Sequence, residues 1–322
     1  MIQSNNWFEG GDGVKLYMRR WQPDSGPLAV LHIVHGMAEY GERYGRLAEK
    51  LCEAGIEVWA ADQRGHGKTA DLSVNGPEKG GLLGYCGDKD AFDQVAADIE
   101  DINKEIRKNR PGVPLFLLGH SWGSFIAQNY IESRDSAEGA TIDGCILSGT
   151  RGPGGFKLKV GRPFINLIAV FQGRRKGIPL ARTLADAPYN KPFRPNRTIF
   201  DWISRDEAEV DAYINHPYCG MLCSAGFYSD LVNGLCRIHR SKAMARIRKE
   251  LPIYIFSGSA DPVGEMGTSC TALVNAYRTL GIQDLEFVLY PGARHETLNE
   301  TNRGEVMDNL LSWIQRHIKL KE

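Results

Sequence analysis

The sequence predicts an α/β fold, a mostly parallel sheet with helices on both faces, interrupted by an inserted cap. Three observations predict it. Apolar strand runs alternate with helical stripes from Val14 to Ser148, and such alternation builds a parallel sheet covered on both sides. The rhythm stops at Arg151, stays absent to about Arg248 and resumes at Leu251. A strand run, Pro114 to Leu118, meets a helical run, Ser124 to Ile131, through Gly119-His120-Ser121-Trp122-Gly123. The organisation that follows is a core in two parts, 1–150 and 249–322, with a cap at 151–248 between them. At ~150 residues per domain, 322 residues leave room for about two domains, and one large domain with an insertion fits equally well.

Val14 to Trp21 reads as an edge strand, and Val30 to Val34 as the next strand. Tyr44 to Ala54 is helical and closed by Gly55. Ile56 to Ala61 is a strand running into Asp62-Gln63-Arg64-Gly65-His66-Gly67, where Arg64 and His66 could be taken for catalytic groups but read rather as braces of a glycine-rich turn. Asp90 to Lys108 carries Val95, Ile99, Ile102 and Ile106, the stripe of a helix lying on a sheet. Ile142 to Ser148, Leu251 to Gly258 and Leu285 to Tyr290 are further strands. In the cap, Phe164 to Phe171 is nearly all apolar and is followed by Arg174-Arg175-Lys176. It reads either as a lid helix whose open face receives an acyl chain or a lipid surface, or as a helix buried between cap and sheet. Phe164, Leu167 and Ile168 are the acyl-contact candidates.

Composition excludes several classes. Lys plus Arg equals Asp plus Glu, 39 against 39, whereas a nucleic-acid partner calls for a basic surface. A hydrophobic content of 42% supports a large core. The seven cysteines are odd in number and scattered, and Cys219 and Cys223 lack the matching ligands of a zinc site. No metal or cofactor is expected. Met1 to Asn6 has neither the basic nor the apolar region of a secretory leader, and no apolar run reaches the ~20 residues of a membrane span. A soluble, cytoplasmic protein is the expectation.

The chemistry centres on Ser121. A serine at the apex of a sharp turn between strand and helix leaves no room for a Cβ two positions to either side, so glycine stands at 119 and 123. A hydroxyl is a weak nucleophile and needs a base. His295, on the loop after the last strand, would take the proton and return it to the leaving group. Asp261, at the end of the strand Leu251–Gly258, would hold the imidazole in the right tautomer. Glu265 competes for that role, and a helix N-cap is the alternative duty of Asp261. The backbone N–H groups of Met37, after the strand ending at Val34, and of Trp122, after the serine, would receive the oxyanion. Ser…Asp…His is the chain order of an α/β-hydrolase.

These pieces carry a resemblance. His35-Gly36-Met37-Ala38-Glu39 with Arg43-Tyr44, Arg64-Gly65-His66-Gly67, Gly119 to Gly123, Gly258-Ser259-Ala260-Asp261 and Gly292-Ala293-Arg294-His295 resemble the monoacylglycerol lipase and lysophospholipase-like branch of the α/β-hydrolases, often grouped with serine aminopeptidases. Ser204-Arg205-Asp206, Val210 to Tyr213 and His216-Pro217 in the cap are also similar to it. The likeness runs from Val14 to His317. It implies a serine hydrolase of acyl glycerols, lysophospholipids or related esters and a lipid-ester partner, while transient contact of the cap with a lipid surface rests on the apolar run Phe164 to Phe171. It also implies that Glu39, Arg43 and Tyr213 lie near the leaving alcohol; surface charge and cap packing are their other reading. Tyr40 stands where the family commonly has histidine, Trp122 where it has methionine, and residues 151–200 show little likeness. A peptidase or amidase using the same triad, with Glu207, Glu209 and Asp211 as a cradle for an amine, and a ligand-binding pseudo-enzyme or receptor are the alternatives.

Overall fold

The computed structural model describes residues 1–135, 141–153, 156–179 and 188–319. Strands β1 (Ile2–Glu9), β2 (Lys15–Gln22), β3 (Ala29–Val34), β4 (Ile56–Ala61), β5 (Leu115–His120), β6 (Gly144–Ser148), β7 (Ile253–Gly258) and β8 (Leu285–Tyr290) form one sheet in the order β1-β2-β4-β3-β5-β6-β7-β8. The β1–β2 and β2–β4 pairs are antiparallel and the rest parallel.

Period-two alternation divides the central strands between two cores. Val30 and Val34 of β3 and Leu115 and Leu117 of β5 face one side. There they meet α2 (Ala91–Asn109), α3 (Trp122–Ser133) and α7 (Thr268–Thr279). Leu31, Ile33, Phe116 and Leu118 face the other, against α1 (Gly45–Glu53) and α8 (Arg303–Lys319). The α2 stripe sits as its spacing predicts, with Val95, Ile99, Ile102 and Ile106 buried and Asp90 capping its N-terminus through the Asp93 N–H. Gly55, at φ +80°, closes the turn after α1.

The edge differs from expectation. The segment expected as the edge strand is β2, which pairs on both sides, and β1 lies outside it. The β1 side chains are exposed on both faces except the half-buried Phe8, so its sequence has no apolar alternation to announce a strand.

β6 and β7 are direct neighbours, pairing Cys145 with Ile253 through Ser148 with Phe256. The whole excursion between them therefore leaves the sheet order undisturbed. It contains α4 (Phe156–Gln172), α5 (Glu207–Asn215) and α6 (Ala225–Ile238). Gly154 and Gly155, which follow Gly152-Pro153 where the block begins, lie outside the described residues. α4 packs through Ile168 and Ala169 on Ile178 and Ala225, while Phe164, Leu167, Val170 and Phe171 are 57%, 53%, 77% and 79% exposed. The outer side of that run is therefore not buried between cap and sheet. Among the described residues no helix is long and apolar enough to cross a membrane.

Candidate active site

In a parallel α/β sheet the strand ends at the C-terminal edge converge on one crevice. β3 leads into His35-Gly36-Met37, β5 into Ser121, β7 towards Asp261 and β8 towards His295. Ser121 has φ 52° and ψ −122°, a conformation costly to a residue with a side chain. Its N–H donates to Ser148 O at 2.9 Å, and its carbonyl accepts from Ser124 N at 2.9 Å. The two glycines have the reason the sequence suggests. A Cβ at Gly119 would lie 2.4 Å from Gly123 O, and one at Gly123 only 2.1 Å from Val34 O.

His295 joins the serine to the acid. Its Nε2 lies 2.8 Å from Ser121 Oγ and its Nδ1 3.0 Å from both oxygens of Asp261. An ionised carboxylate only accepts, so Nδ1 carries the proton and Nε2 is left to accept from the serine hydroxyl. Asp261 also accepts from Ser257 Oγ and Val263 N, both at 2.8 Å. Burial alone would raise its pKa; the facing imidazole and these two donors outweigh it and hold the carboxyl below its ordinary value. Burial likewise opposes the charged form of His295, but Asp261, with Glu296 and Glu39 behind it, raises its pKa above the ordinary 6.5. Glu265, the competing acid, is exposed, and its carboxylate pairs with Arg151 at 3.0 Å.

His120, directly before the serine, stays neutral. Burial and the nearby His295 ring, 5.0 Å away, push its pKa down to about 4. Trp122 is the first residue of α3, so its N–H has no partner four residues back within the helix. The Met37 loop is held from several sides. Gly36 N donates to Glu39 Oε1 at 2.5 Å, while Tyr213 Oη and Gly220 N donate to Ala38 O at 2.9 and 2.8 Å. Arg64 is bound to Asp98 and Asp12. His66 accepts no role at the serine: its Nδ1 donates to Arg64 O, and its ring stacks on Trp122 at 5.4 Å.

A cavity opens over Ser121. Sheet-derived Met37, Glu39 and His295 form one wall, and Phe200, Trp202, Tyr213, Met221 and Tyr228 of the inserted block form the other. Of the expected substrate contacts, Glu39 and Tyr213 line the cavity, Arg43 stands behind Glu39, and Phe164, Leu167 and Ile168 do not reach it. The first two of those three point outward from α4, and Ile168 packs beneath it. Phe200, Trp202, Met221 and Tyr228 went unread in the sequence. The only signal was their nearness to the family-like Ser204-Arg205-Asp206 and His216-Pro217. Glu207 and Asp211 face Arg197, and Glu209 pairs with Arg46 at 2.8 Å, away from the cavity. No group of three potential metal ligands occurs among the described residues.

The profile of the family described as serine aminopeptidase, S33, matches residues 25–302, and the chain belongs to that family. It is 26% identical to a monoacylglycerol lipase of Mycolicibacterium smegmatis, over 98% of both chains. It is 27% identical to the monoglyceride lipase of Mus musculus, over 95% of this chain and 89% of the mouse protein. Among solved structures, a thermostable carboxyl esterase from Bacillus coagulans in complex with glycerol superposes with a TM-score of 0.87 at 28% identity, covering 99% of each chain. A soluble variant of the Saccharomyces cerevisiae monoglyceride lipase shares the α/β-hydrolase fold, with a TM-score of 0.75 at 22% identity over 98% of this chain and 96% of that one.

Proposed function

We propose that this chain is a carboxylic ester hydrolase acting on monoacylglycerols or closely related acyl esters through an acyl-enzyme on Ser121. The observation that carries this reading is the continuous Ser121–His295–Asp261 relay, at 2.8 and 3.0 Å, facing a largely apolar cavity. The relatives named monoacylglycerol and monoglyceride lipase, and the esterase that superposes over the whole chain, support it.

In the proposed reaction Ser121 Oγ attacks the ester carbonyl as its proton passes to His295 Nε2. The oxyanion lies between the N–H groups of Met37 and Trp122, each such donor contributing about 3–4 kcal/mol in comparable sites. The tetrahedral adduct collapses, the C–O bond to the alcohol breaks, and the leaving oxygen takes the proton from His295. Water then repeats the sequence and releases the acid. Asp261 stabilises the imidazolium in both halves.

Peptidase chemistry fits less well. A substrate amine needs a carboxylate free to receive it. Glu207, Glu209 and Asp211 are turned to arginines. Glu39 does line the cavity, but its oxygens accept from Gly36 N, Tyr44 Oη and Arg43. Residues 151–248 act in this reading as a cap that roofs the serine. The open face of α4, followed by Arg174 to Lys176, is its contact with a lipid surface. A cytoplasmic location completes the proposal, since no disulfide forms among the described residues and reduced thiols suit a reducing compartment.

The test is a fluorophosphonate probe, with matched assays on a p-nitrophenyl ester, a monoacylglycerol and an aminoacyl amide. Labelling confined to Ser121, with turnover of the esters, is the expected result. Turnover of the amide alone would replace this reading by the peptidase one, and a chain that neither labels nor turns over would be a binding module.

A further inference from the structure

Arg43 joins two loops that lie at opposite ends of the chain. Its Nη1 donates to Glu39 Oε2 at 2.8 Å and to Glu296 Oε1 at 2.7 Å, and its Nη2 donates to Glu296 Oε2 at 2.6 Å. Glu39 belongs to the loop that carries Met37, and its other oxygen holds the N–H of Gly36, the residue just before Met37. Glu296 follows His295 directly, and the two arginine contacts span 253 residues of sequence. Tyr44 Oη adds a third donor to Glu39 at 3.0 Å, and Asn299 Nδ2 a further one to Glu296 at 3.1 Å. The Tyr213 ring lies 5.0 Å from the guanidinium carbon. All three charged side chains are nearly buried, at 11%, 4% and 6% exposure.

Such a cluster is expensive to break and geometrically demanding. A buried guanidinium with bidentate and bridging contacts admits few arrangements. Removing it would leave two carboxylates facing each other in a place that excludes water. Burial would push the Glu39 carboxyl up, but Arg43 beside it draws its pKa down to about 2, so the loop anchor is ionised throughout the physiological range.

We infer that Arg43 is a positioning residue that sets the oxyanion loop at a fixed distance from His295, by clamping Glu39 on one loop to Glu296 on the other. It does this from behind the cavity wall, with Nη1 and Nη2 occupied by carboxylates, and so it does not receive the leaving alcohol. The inference rests on the ester-hydrolase reading for its catalytic meaning. The charged and titratable groups that act on His295 are Asp261, Glu296, Glu39 and His120, and Arg43 acts on Glu39 and His120 in turn. Arg43 alone is a permanent cation among them, and it leaves the Glu39–Glu296 pair with one net negative charge beside the imidazole.

The experiment compares Arg43→Met and Arg43→Lys with the parent on p-nitrophenyl butyrate and glyceryl monobutyrate, which share an acyl group and differ in the alcohol. It also follows the second-order rate of fluorophosphonate labelling at Ser121, which needs the oxyanion hole and His295 but no ester. The expected result is a kcat loss of about 100-fold for Arg43→Met, equal on both esters, since a displacement of an ångström in a reacting group costs that much. Arg43→Lys, which keeps the charge and loses the fork, should lose less. KM should stay within about twofold, and labelling should slow in parallel. Combined with Glu296→Gln, the kcat losses should fall short of additive, because both residues belong to one clamp. A loss confined to the glyceryl ester, seen in KM, would assign Arg43 to the alcohol and overturn the inference. A lowered Tm with unchanged kcat and labelling would overturn it too. If Arg43→Met does not fold, Arg43→Lys decides between the same outcomes. A parent that labels but hydrolyses neither ester would sink the functional reading alone, with the labelling rates still deciding the clamp.

Discussion

Helices α3 and α4 are both rich in apolar residues, and the chain uses them in opposite ways. In α3 every residue from Trp122 to Glu132 is buried. It lies between the sheet on one side and α2 and α6 on the other. In α4 the inward side rests on α6, and nothing described covers Phe164, Leu167, Val170 and Phe171. Apolar content alone therefore does not say whether a helix is core. What decides is whether it has packing partners on one side or two. The functional lesson follows. The start of α3 is fixed to the backbone of β5, with Gly123 pressed on β3, so Ser121, the proposed nucleophile, inherits the precision of the sheet. α4 is placed only by side-chain packing at the rim, which is where a surface for bulky or variable ligands belongs.

The sharpest test of the sheet-bound half is Ser121→Ala. It should lower kcat on p-nitrophenyl butyrate on the order of 10⁴–10⁶-fold and leave the circular dichroism spectrum unchanged. Retention of a sizeable fraction of kcat would mean that the nucleophile lies elsewhere. Next comes the acid. Asp261→Asn should cost about 10⁴-fold in kcat, the penalty of the wrong histidine tautomer. Glu265→Gln, which loses only an exposed pair with Arg151, should stay within about twofold. The reverse order would reassign the acid.

The rim half calls for a different substrate. Phe164→Ser with Leu167→Ser should leave turnover of a dissolved acetate ester unchanged. Activity on monoacylglycerol dispersed in vesicles should fall about tenfold, as two large side chains stop burying their surface in lipid. Equal losses on both substrates would mean that the α4 face supports the fold, and the contrast with α3 would dissolve. The smallest expected effect lies where the two halves meet. His295 must be neutral to accept the serine proton, and Asp261, Glu296 and Glu39 favour its charged form, with its pKa above 6.5. The acid limb of kcat/KM should therefore be centred above that pH. Removing one negative neighbour in Glu296→Gln lowers the imidazolium's stability, so the limb should move to lower pH. A limb that stays put or moves up would show that Glu296 does not act on His295 through its charge.

The elements legible in the sequence were those under backbone constraint. Gly119 and Gly123 admit no Cβ, so the turn leaves a pattern that survives any choice of surroundings. The same holds for the strand ends that deliver Asp261 and His295. β1 escaped notice because a strand exposed on both faces has no alternation to read. The cavity wall escaped for another reason. Phe200 and Met221 sit in a turn and in irregular chain and Trp202 in a single 3-10 turn, Asp201–Ile203, where no period links them and only tertiary packing brings them over Ser121. Phe164, Leu167 and Ile168 were singled out by an apolar run that cannot say which way it faces. For Arg43 the likeness suggested a place beside the alcohol. Its partner Glu296, at the far end of the chain, was invisible until the fold brought the loops together.

The backbone at Ser121 has one more consequence. With φ at 52° it occupies territory that glycine enters freely and serine does not. Such a residue costs about 1–3 kcal/mol while the surrounding structure holds it there. Nothing in folding asks for a side chain at that apex; only the reaction does. A lineage that lost its need for the reaction would find glycine at this position an immediate gain in durability. A serine held there, where glycine would relieve the strain, is a stability cost that the proposed chemistry accounts for and the fold does not.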